Sequence, residues 1–264
     1  MAGYPLLIPL SDPIDPKPTA IMPHRTLNTT EAAHFLHLQP SQIERLVKDD
    51  AIPCEKRAGK VLFRRVELQA WASHRILGLE GRHLQEYHGD ATTASRRGNP
   101  GELRISDWIQ PTVINPTLPA KTRASVLREM AKLAAQTEKT TDPVALLRGL
   151  DERENLCSTG LPGGWALLHT RNHDPYLFEE PVLLLGRTVQ NIPFGAPDGR
   201  ATRLFFLLGC TDDRLHLHAL SRLCLMAQQT DLLQTLLDAP DSETMHQAIV
   251  TAEESVSFNP TKGH

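Results

Sequence analysis

The stretch Arg153-Glu-Asn-Leu-Cys-Ser-Thr-Gly-Leu-Pro-Gly-Gly-Trp-Ala-Leu-Leu-His169 decides how the second half of this chain is read. A polar helix end gives way to a Gly/Pro loop, and the loop to a short apolar run closed by a histidine. Proline and paired glycines end a helix and favour a turn. The run Trp165–His169 is too short for a helix of its own and reads as a strand. An apolar strand that delivers one imidazole at its end is a way to present a nucleophile. A lone histidine in such a place is more often structural, so the neighbouring sequence has to decide.

Working outward, Val182 to Arg187 and Arg203 to Leu208 are two further apolar runs. The second is almost wholly apolar, as expected of a strand covered on both faces. Phe194-Gly-Ala-Pro-Asp-Gly199 is a dense turn signal between them. Lys121 to Gln136 carries Val126, Leu127, Met130, Leu133 and Ala134 on one helical face. Pro143 to Arg153 is a second helix, with Asp142 as N-cap and Pro143 at N1. Leu215 to Gln228 is a third, with Leu217, Leu220, Cys224 and Ala227 as its inner stripe. Shorter helices follow at Asp231–Leu237 and Ser242–Ala252, and Ile105–Ile109 opens the region as a strand or a helical turn. Helices alternating with buried strands predict an α/β domain over residues 103–256, a mixed sheet flanked by helices, with a frayed tail at 257–264.

The totals exclude some classes. The chain has 264 residues, 40% hydrophobic and 22% charged, the composition of a globular protein with room for one large or two modest domains. A net charge of −3 argues against wholesale coating of nucleic acid but allows one basic patch. No apolar run reaches the ~20 residues that span a bilayer. Residues 1–25 are rich in proline and lack a basic start, so they read as a disordered leader and not a signal peptide. The four cysteines are far apart and form no C-x-x-C pair, so neither a zinc site nor a disulfide framework is expected. Reduced thiols fit a cytoplasmic location. No metal and no cofactor is expected. Residues 80–102, with four glycines, a proline and polar filler, read as an inter-domain linker in which Arg82 to His88 forms at most a brief helix.

Residues 26–79 have a different rhythm. Asn28-Thr-Thr-Glu31 is a capping box ahead of a helix with Ala32, Ala33, Phe35 and Leu36 on one face. His37-Leu38-Gln39 makes a turn. A second helix starts near Pro40, with Ser41 and Glu44 as a rival start, and buries Ile43, Leu46 and Val47. Lys56-Arg-Ala-Gly-Lys-Val-Leu-Phe-Arg-Arg65 is a hairpin with Gly59 at the tip, and it holds five basic residues and no acid. Val66 to Ile76 is a third helix with Leu68, Trp71 and Ala72 facing inward. Helix, tight turn, helix, basic hairpin, helix is a small winged helix-turn-helix domain.

On Leu27, Ala32-Ala33, Leu36, Leu38, Ile43, Leu46-Val47, Ile52-Pro53, Gly59, Phe63-Arg64-Arg65 and Leu68-Trp71, this stretch resembles the excisionase-like and MerR-like DNA-binding domains. That family usually has a glycine in the turn where this chain has His37. In such a domain the start of the second helix enters the major groove. Ser41, Gln42 and Arg45 are then the candidate base-facing side chains. Lys56, Arg57, Lys60, Arg64 and Arg65 are the candidate phosphate contacts. A protein-interaction module with a solvated basic loop is the alternative.

The second half resembles the phosphotransferase-system IIA domains of the fructose/mannitol (type 2) and nitrogen-regulatory kind. Five pieces in fixed order carry the resemblance. They are the Lys121–Gln136 helix; Arg153-Glu154 ahead of Ser158-Thr159-Gly160; Gly164 to His169; Phe194 to Gly199; and Asp212-Asp213 followed by His216-Leu217 and Leu220. The resemblance implies that His169 is the phosphoryl acceptor, His216 the assisting histidine and Arg153 the cation for the phosphoryl oxygens. Ser158 and Thr159 are further candidate phosphoryl contacts. Leu168 stands where the family commonly has proline.

Together these imply a bacterial cytoplasmic regulator with a DNA-binding domain and a IIA-like domain that accepts phosphate on a histidine. The partners it implies are DNA, the histidine phosphocarrier protein or a similar donor, and a IIB-type acceptor, with homodimerisation left open and no membrane. Two alternatives stay open, a phosphocarrier component of a sugar phosphotransferase system and a non-phosphorylated IIA-like docking protein.

Overall fold

The computed structural model describes residues 26–57, 59–79, 81–98, 103–170 and 177–257. The leader expected at 1–25 and the tail beyond 257 lie outside them, as do residues 171–176.

The N-terminal part is built as the sequence implies. Strand β1 (Thr26–Leu27) leads into α1 (Thr29–Leu36). Asn28 and Glu31 close the expected capping box, with N–H to side-chain distances of 2.8 and 2.9 Å. His37 ends α1 in the left-handed region at φ 55°, which explains why glycine is common at this point of the turn. Helix α2 (Pro40–Lys48) starts at the proline, not at the rival Ser41 start. Strands β2 (Glu55–Arg57) and β3 (Lys60–Arg64) form the hairpin, with Gly59 at φ 77° in its turn. Strand β3 also pairs with β1, and α3 (Arg65–Leu77) packs behind the wing.

The segment expected as a polar linker is helical. Helix α4 (Gly81–Gly98) buries Leu84, Tyr87 and His88 in its first turns. The spacing i, i+3, i+4 gives it an apolar stripe, and that stripe lies on the C-terminal half of the protein. Of the glycines that suggested a loose spacer, Gly81 and Gly98 sit at its ends and Gly89 on its exposed side.

Among the described residues, the second half carries five strands in the order β4-β7-β8-β6-β5. These are β4 (Ile114–Leu118), β5 (Gly160–Leu161), β6 (Trp165–Leu168), β7 (Val182–Ile192) and β8 (Thr202–Gly209). The sheet is mixed: β4/β7 and β6/β8 are parallel, while β5/β6 and β7/β8 are antiparallel. Strand β4 was not expected because Pro116 lies inside it. It survives as an edge strand with a register shift between Asn115 and Leu118, where a missing N–H is tolerated.

Strand alternation sorts the core into two layers. Ala166 and Leu168 of β6 and Phe205 and Leu207 of β8 face α5 (Arg123–Ala135) and α6 (Pro143–Leu156). Trp165, Leu167, Leu204, Phe206 and Leu208 face α7 (Asp213–Gln229), α8 (Leu232–Asp238) and α9 (Ser242–Ser257). The expected N-cap at Asp142 accepts from Val144 N and Ala145 N at 3.0 and 2.9 Å.

Helix α7 is the centre of the molecule. Every residue from His216 to Met226 is buried, which one sheet face cannot achieve for a helix. Its other side is covered by α3 and α4, so the winged domain, α7 and the sheet form successive layers with a continuous apolar core. Inside this stack, Arg222 Nε donates to Glu253 Oε1 at 2.8 Å, and Glu253 also accepts from the backbone N–H groups of Ile105 and Ser106.

Among the described residues no helix is long and apolar enough to cross a membrane. Among the same residues no group of three or more His, Cys, Asp or Glu is placed to hold a metal ion.

Candidate functional site

Parity along β6 decides where His169 goes. Trp165 and Leu167 point to the α7 side, and His169, two residues on, continues that side beyond the end of the strand. There its ring lies 5.0 Å from the ring of His216, centroid to centroid, with 55° between the planes. Arg153, from the last turn of α6, brings its Nε to 3.3 Å from His169 Nε2. The three residues singled out from the sequence therefore meet at one place. They are all buried, His169 at 2% exposure and His216 at 0%.

The contacts fix the chemistry of the His169 ring. Its Nδ1 lies 2.9 Å from the carbonyl oxygen of Leu167, an acceptor only, so Nδ1 carries the proton and donates. Nε2 then holds the lone pair that faces the Arg153 guanidinium. Such a ring is a neutral imidazole with its nucleophilic nitrogen turned towards a fixed cation. Arg153 is itself held by Cys157, whose carbonyl oxygen accepts from Nη1 at 2.9 Å and whose Sγ lies 3.5 Å away. Leu168 keeps its place in β6, paired with Leu207 of β8, so the absence of proline leaves the strand intact up to the histidine.

Ser158 and Thr159 stand differently from the two histidines. The Ser158 hydroxyl donates to the carbonyl oxygen of Phe194. Thr159 gives both its N–H and its hydroxyl to Glu154 Oε2, at 3.1 and 2.6 Å. Both side chains thus shape the loop between α6 and β5. Two residues not singled out share this task. Glu154 is buried beneath the loop. Arg123 lies over the Phe194 ring, donates to the Phe194 carbonyl at 2.9 Å and sits 3.7 Å from Glu154 Oε1. The turn Phe194–Gly199 is thereby tied to the site, at Gly195 with φ 89°.

The winged domain also reaches this place, which the sequence did not signal. Ser73 Oγ of α3 lies 3.5 Å from His216 Nε2 in a buried contact. Arg65 Nε donates to Asp213 Oδ2 at 2.6 Å, one turn before His216. Among the candidate DNA contacts, Arg65 thus faces the second domain. Ser41, Gln42, Arg45, Lys56, Arg57, Lys60 and Arg64 are exposed. Gln42 Oε1 accepts from Gln39 N at 2.7 Å, and Arg45 lies 3.7 Å from Asp49. Glu55, one residue before the basic run, pairs with both Arg57 and Arg64, so the wing is less positive than the run alone implies.

The surrounding histidines are held neutral. Burial pushes His37 down to about 4, helped by Arg214, His218 and His34. It pushes His88 to about 3 and His218 to about 4, with Arg222 adding to both. The His88 and His218 rings stack at 5.5 Å between α4 and α7.

Comparison with known proteins agrees with this architecture. The family described as "Phosphoenolpyruvate-dependent sugar phosphotransferase system, EIIA 2" matches residues 108–252, more than half of the chain. A helix-turn-helix family matches residues 26–75. A nitrogen regulatory protein of Pseudomonas aeruginosa is 26% identical over 155 residues, which is 57% of this chain and 97% of that protein. The fructose-specific EIIABC component of Bacillus subtilis is 24% identical over 145 residues, 54% of this chain, but the chain spans only 22% of that protein's length. The crystal structure of nitrogen regulatory protein IIA-Ntr from Neisseria meningitidis shares the fold, with a TM-score of 0.50 and 24% identity over 55% of this chain and 98% of that one. With the fold, the order of its motifs and this match in agreement, the chain belongs to the EIIA 2 family of the phosphoenolpyruvate-dependent sugar phosphotransferase system and carries a helix-turn-helix domain ahead of it.

Proposed function

We propose that this protein is a regulator whose EIIA 2 domain accepts a phosphoryl group on His169 Nε2 and whose helix-turn-helix domain binds DNA. The observation that carries the first part is the convergence of Arg153, His169 and His216 with His169 Nδ1–H bonded to the Leu167 carbonyl. In the transfer, the Nε2 lone pair attacks phosphorus of a phosphohistidine donor. The new P–N bond forms as the donor's P–N bond breaks, and its electron pair returns to the donor imidazole. The proton stays on Nδ1, hydrogen-bonded to Leu167 O, throughout. Arg153 offsets the charge on the phosphoryl oxygens, and His216 supplies a second polar partner.

The DNA-binding part is supported by the exposed start of α2, with Ser41, Gln42 and Arg45, and by Lys56, Arg57, Lys60 and Arg64 on the wing beside it. Helix α2 is the element such a domain lays in the major groove. A second reading, relay of the phosphoryl group to a IIB-type acceptor, is favoured by the fructose-specific name of the Bacillus relative.

The test is incubation with enzyme I, the histidine phosphocarrier protein and phosphoenolpyruvate, followed by intact-mass measurement. One acid-labile phosphoryl group is expected on the wild type and none on His169→Ala. A wild type that stays unmodified under a tenfold range of donor overturns the phosphoacceptor reading. DNA retardation that persists unchanged in Lys60→Ala/Arg64→Ala overturns the proposed DNA face.

A further inference from the structure

The winged domain does not hang beside the EIIA domain; together with α4 it is clamped along the length of α7. At the start of α7, Arg65 donates to Asp213 at 2.6 Å. In the next turn, Ser73 Oγ meets His216 Nε2 at 3.5 Å. Further along, His88 stacks on His218, and its Nε2 lies 3.3 Å from Arg222 Nη1. At the far end the Gln228 amide closes the turn between α3 and α4, its Nε2 donating to Leu79 O at 2.9 Å and its Oε1 accepting from Gly81 N at 3.2 Å. Helix α3 supplies the covering face through Gln69, Ser73 and Ile76, which are spaced i, i+4, i+7 and all buried.

This clamp reaches the histidine pair at His216. A phosphodonor protein has to bring a phosphorus atom into bonding distance of His169 Nε2, and three phosphoryl oxygens then need room and partners. In the docked arrangement His169 is 2% exposed, His216 is fully buried, and a nitrogen of His216 is already engaged by the other domain. We propose that the helix-turn-helix domain is a built-in lid: its docking on α7 and phosphorylation of His169 exclude one another. This rests on the reading of His169 as phosphoacceptor. The docked form is silent towards the donor while its candidate DNA-reading residues on α2 and the wing stay open to solvent, with Arg65 alone withheld. Because exclusion is reciprocal, a phosphoryl group on His169 holds the lid off α7, and any ligand that favours the docked form slows phosphorylation.

The experiment uses the full chain with two lid variants, Arg65→Glu, which opposes Asp213, and Ser73→Tyr, which wedges the buried contact. Reaction of each histidine with diethyl pyrocarbonate is followed by peptide mass spectrometry, with exposed His34, His74 and His83 as internal references. The initial rate of phosphorylation by enzyme I and the histidine phosphocarrier protein is measured in parallel. In the wild type, His169 and His216 are expected to label far more slowly than the references. In both variants labelling and phosphorylation are expected to rise together, by roughly tenfold or more, as the competent fraction grows. If Ser73→Tyr does not fold, Gln228→Ala, at the exposed end of the clamp, takes its place. Wild-type labelling of His216 at the rate of the references overturns the lid, and so do variants in which neither rate changes. Labelling that rises while no form takes up phosphate keeps the lid and overturns the phosphoacceptor reading beneath it.

Discussion

Arg222 and Glu253 form an ion pair at 2.8 Å with each side chain only 1% exposed, and this pair joins α7 to α9 beneath the winged domain. Glu253 is further held by the N–H groups of Ile105 and Ser106, so both charges are satisfied where water cannot reach. Removing one partner leaves the other charge buried and unpaired. Arg222→Met is expected to lower stability by about 3–5 kcal/mol, read from the urea midpoint. A loss below about 1 kcal/mol would mean that water reaches the pair in solution.

Acid is expected to unfold the stack from its histidines. In the unfolded chain His37, His88 and His218 take up protons near the ordinary 6.5, whereas in the fold burial lowers them to about 4, 3 and 4. Between these limits the unfolded state binds more protons, so stability rises with pH and is complete above about 6.5, with a slope of about 1.4 kcal/mol per pH unit for each histidine. Glu253 acts in the same direction. Burial alone would raise its carboxyl, but the Ser106 hydrogen bonds and Arg222 outweigh it, so its contribution is present at neutral pH and lost as pH falls. Melting temperatures between pH 7 and pH 5 check this, and His218→Gln should flatten the curve.

Arg153→Lys keeps the charge beside His169 but loses the fork that joins His169 Nε2 to the Cys157 carbonyl. Phosphorylation is expected to slow by about 10²-fold. An unchanged initial rate would show that charge alone suffices.

Gly209 ends β8 directly under the Phe178 ring, whose carbons lie 2.5–2.7 Å from where a Cβ would stand. Phe178 is buried and tied to Thr140 by a bridge, so it has little freedom to retreat. Gly209→Ala is expected to cost about 1–3 kcal/mol in thermal or denaturant unfolding.

Much of this arrangement is legible in local sequence. The apolar runs of β6, β7 and β8, the cap at Asp142 and the box Asn28–Glu31 are short-range signals that tertiary structure leaves in force. Parity along β6, which puts His169 on the α7 side, follows from those runs. Strand β4 escaped because a proline in an edge strand looks like a loop, and β5 because two residues carry no period. Helix α4 escaped because its glycines and charges outnumber its stripe of Leu84, Tyr87 and His88. The lid contact was readable only in part. Leu223-Cys-Leu-Met-Ala227 is apolar on every side of a helix, which announces a second covering layer. The polar face of Gln69 and Ser73 gives no matching hint of what that layer is. That the hydroxyls of Ser158 and Thr159 hold the loop through Phe194 O and Glu154 is not encoded in residue type.

Helix α7 is wrapped on all sides, and that has a colloidal consequence. Lifting the winged domain away uncovers the stripes of α3 and α4 together with the outer side of α7, surfaces whose apolar groups were never meant to face water. An opened molecule therefore has a strong tendency to pair with another opened molecule or to be captured by whatever apolar surface is nearby. Opening of the winged domain and self-association should therefore rise together, so that the same event that exposes the histidines also limits how long a solitary open copy persists.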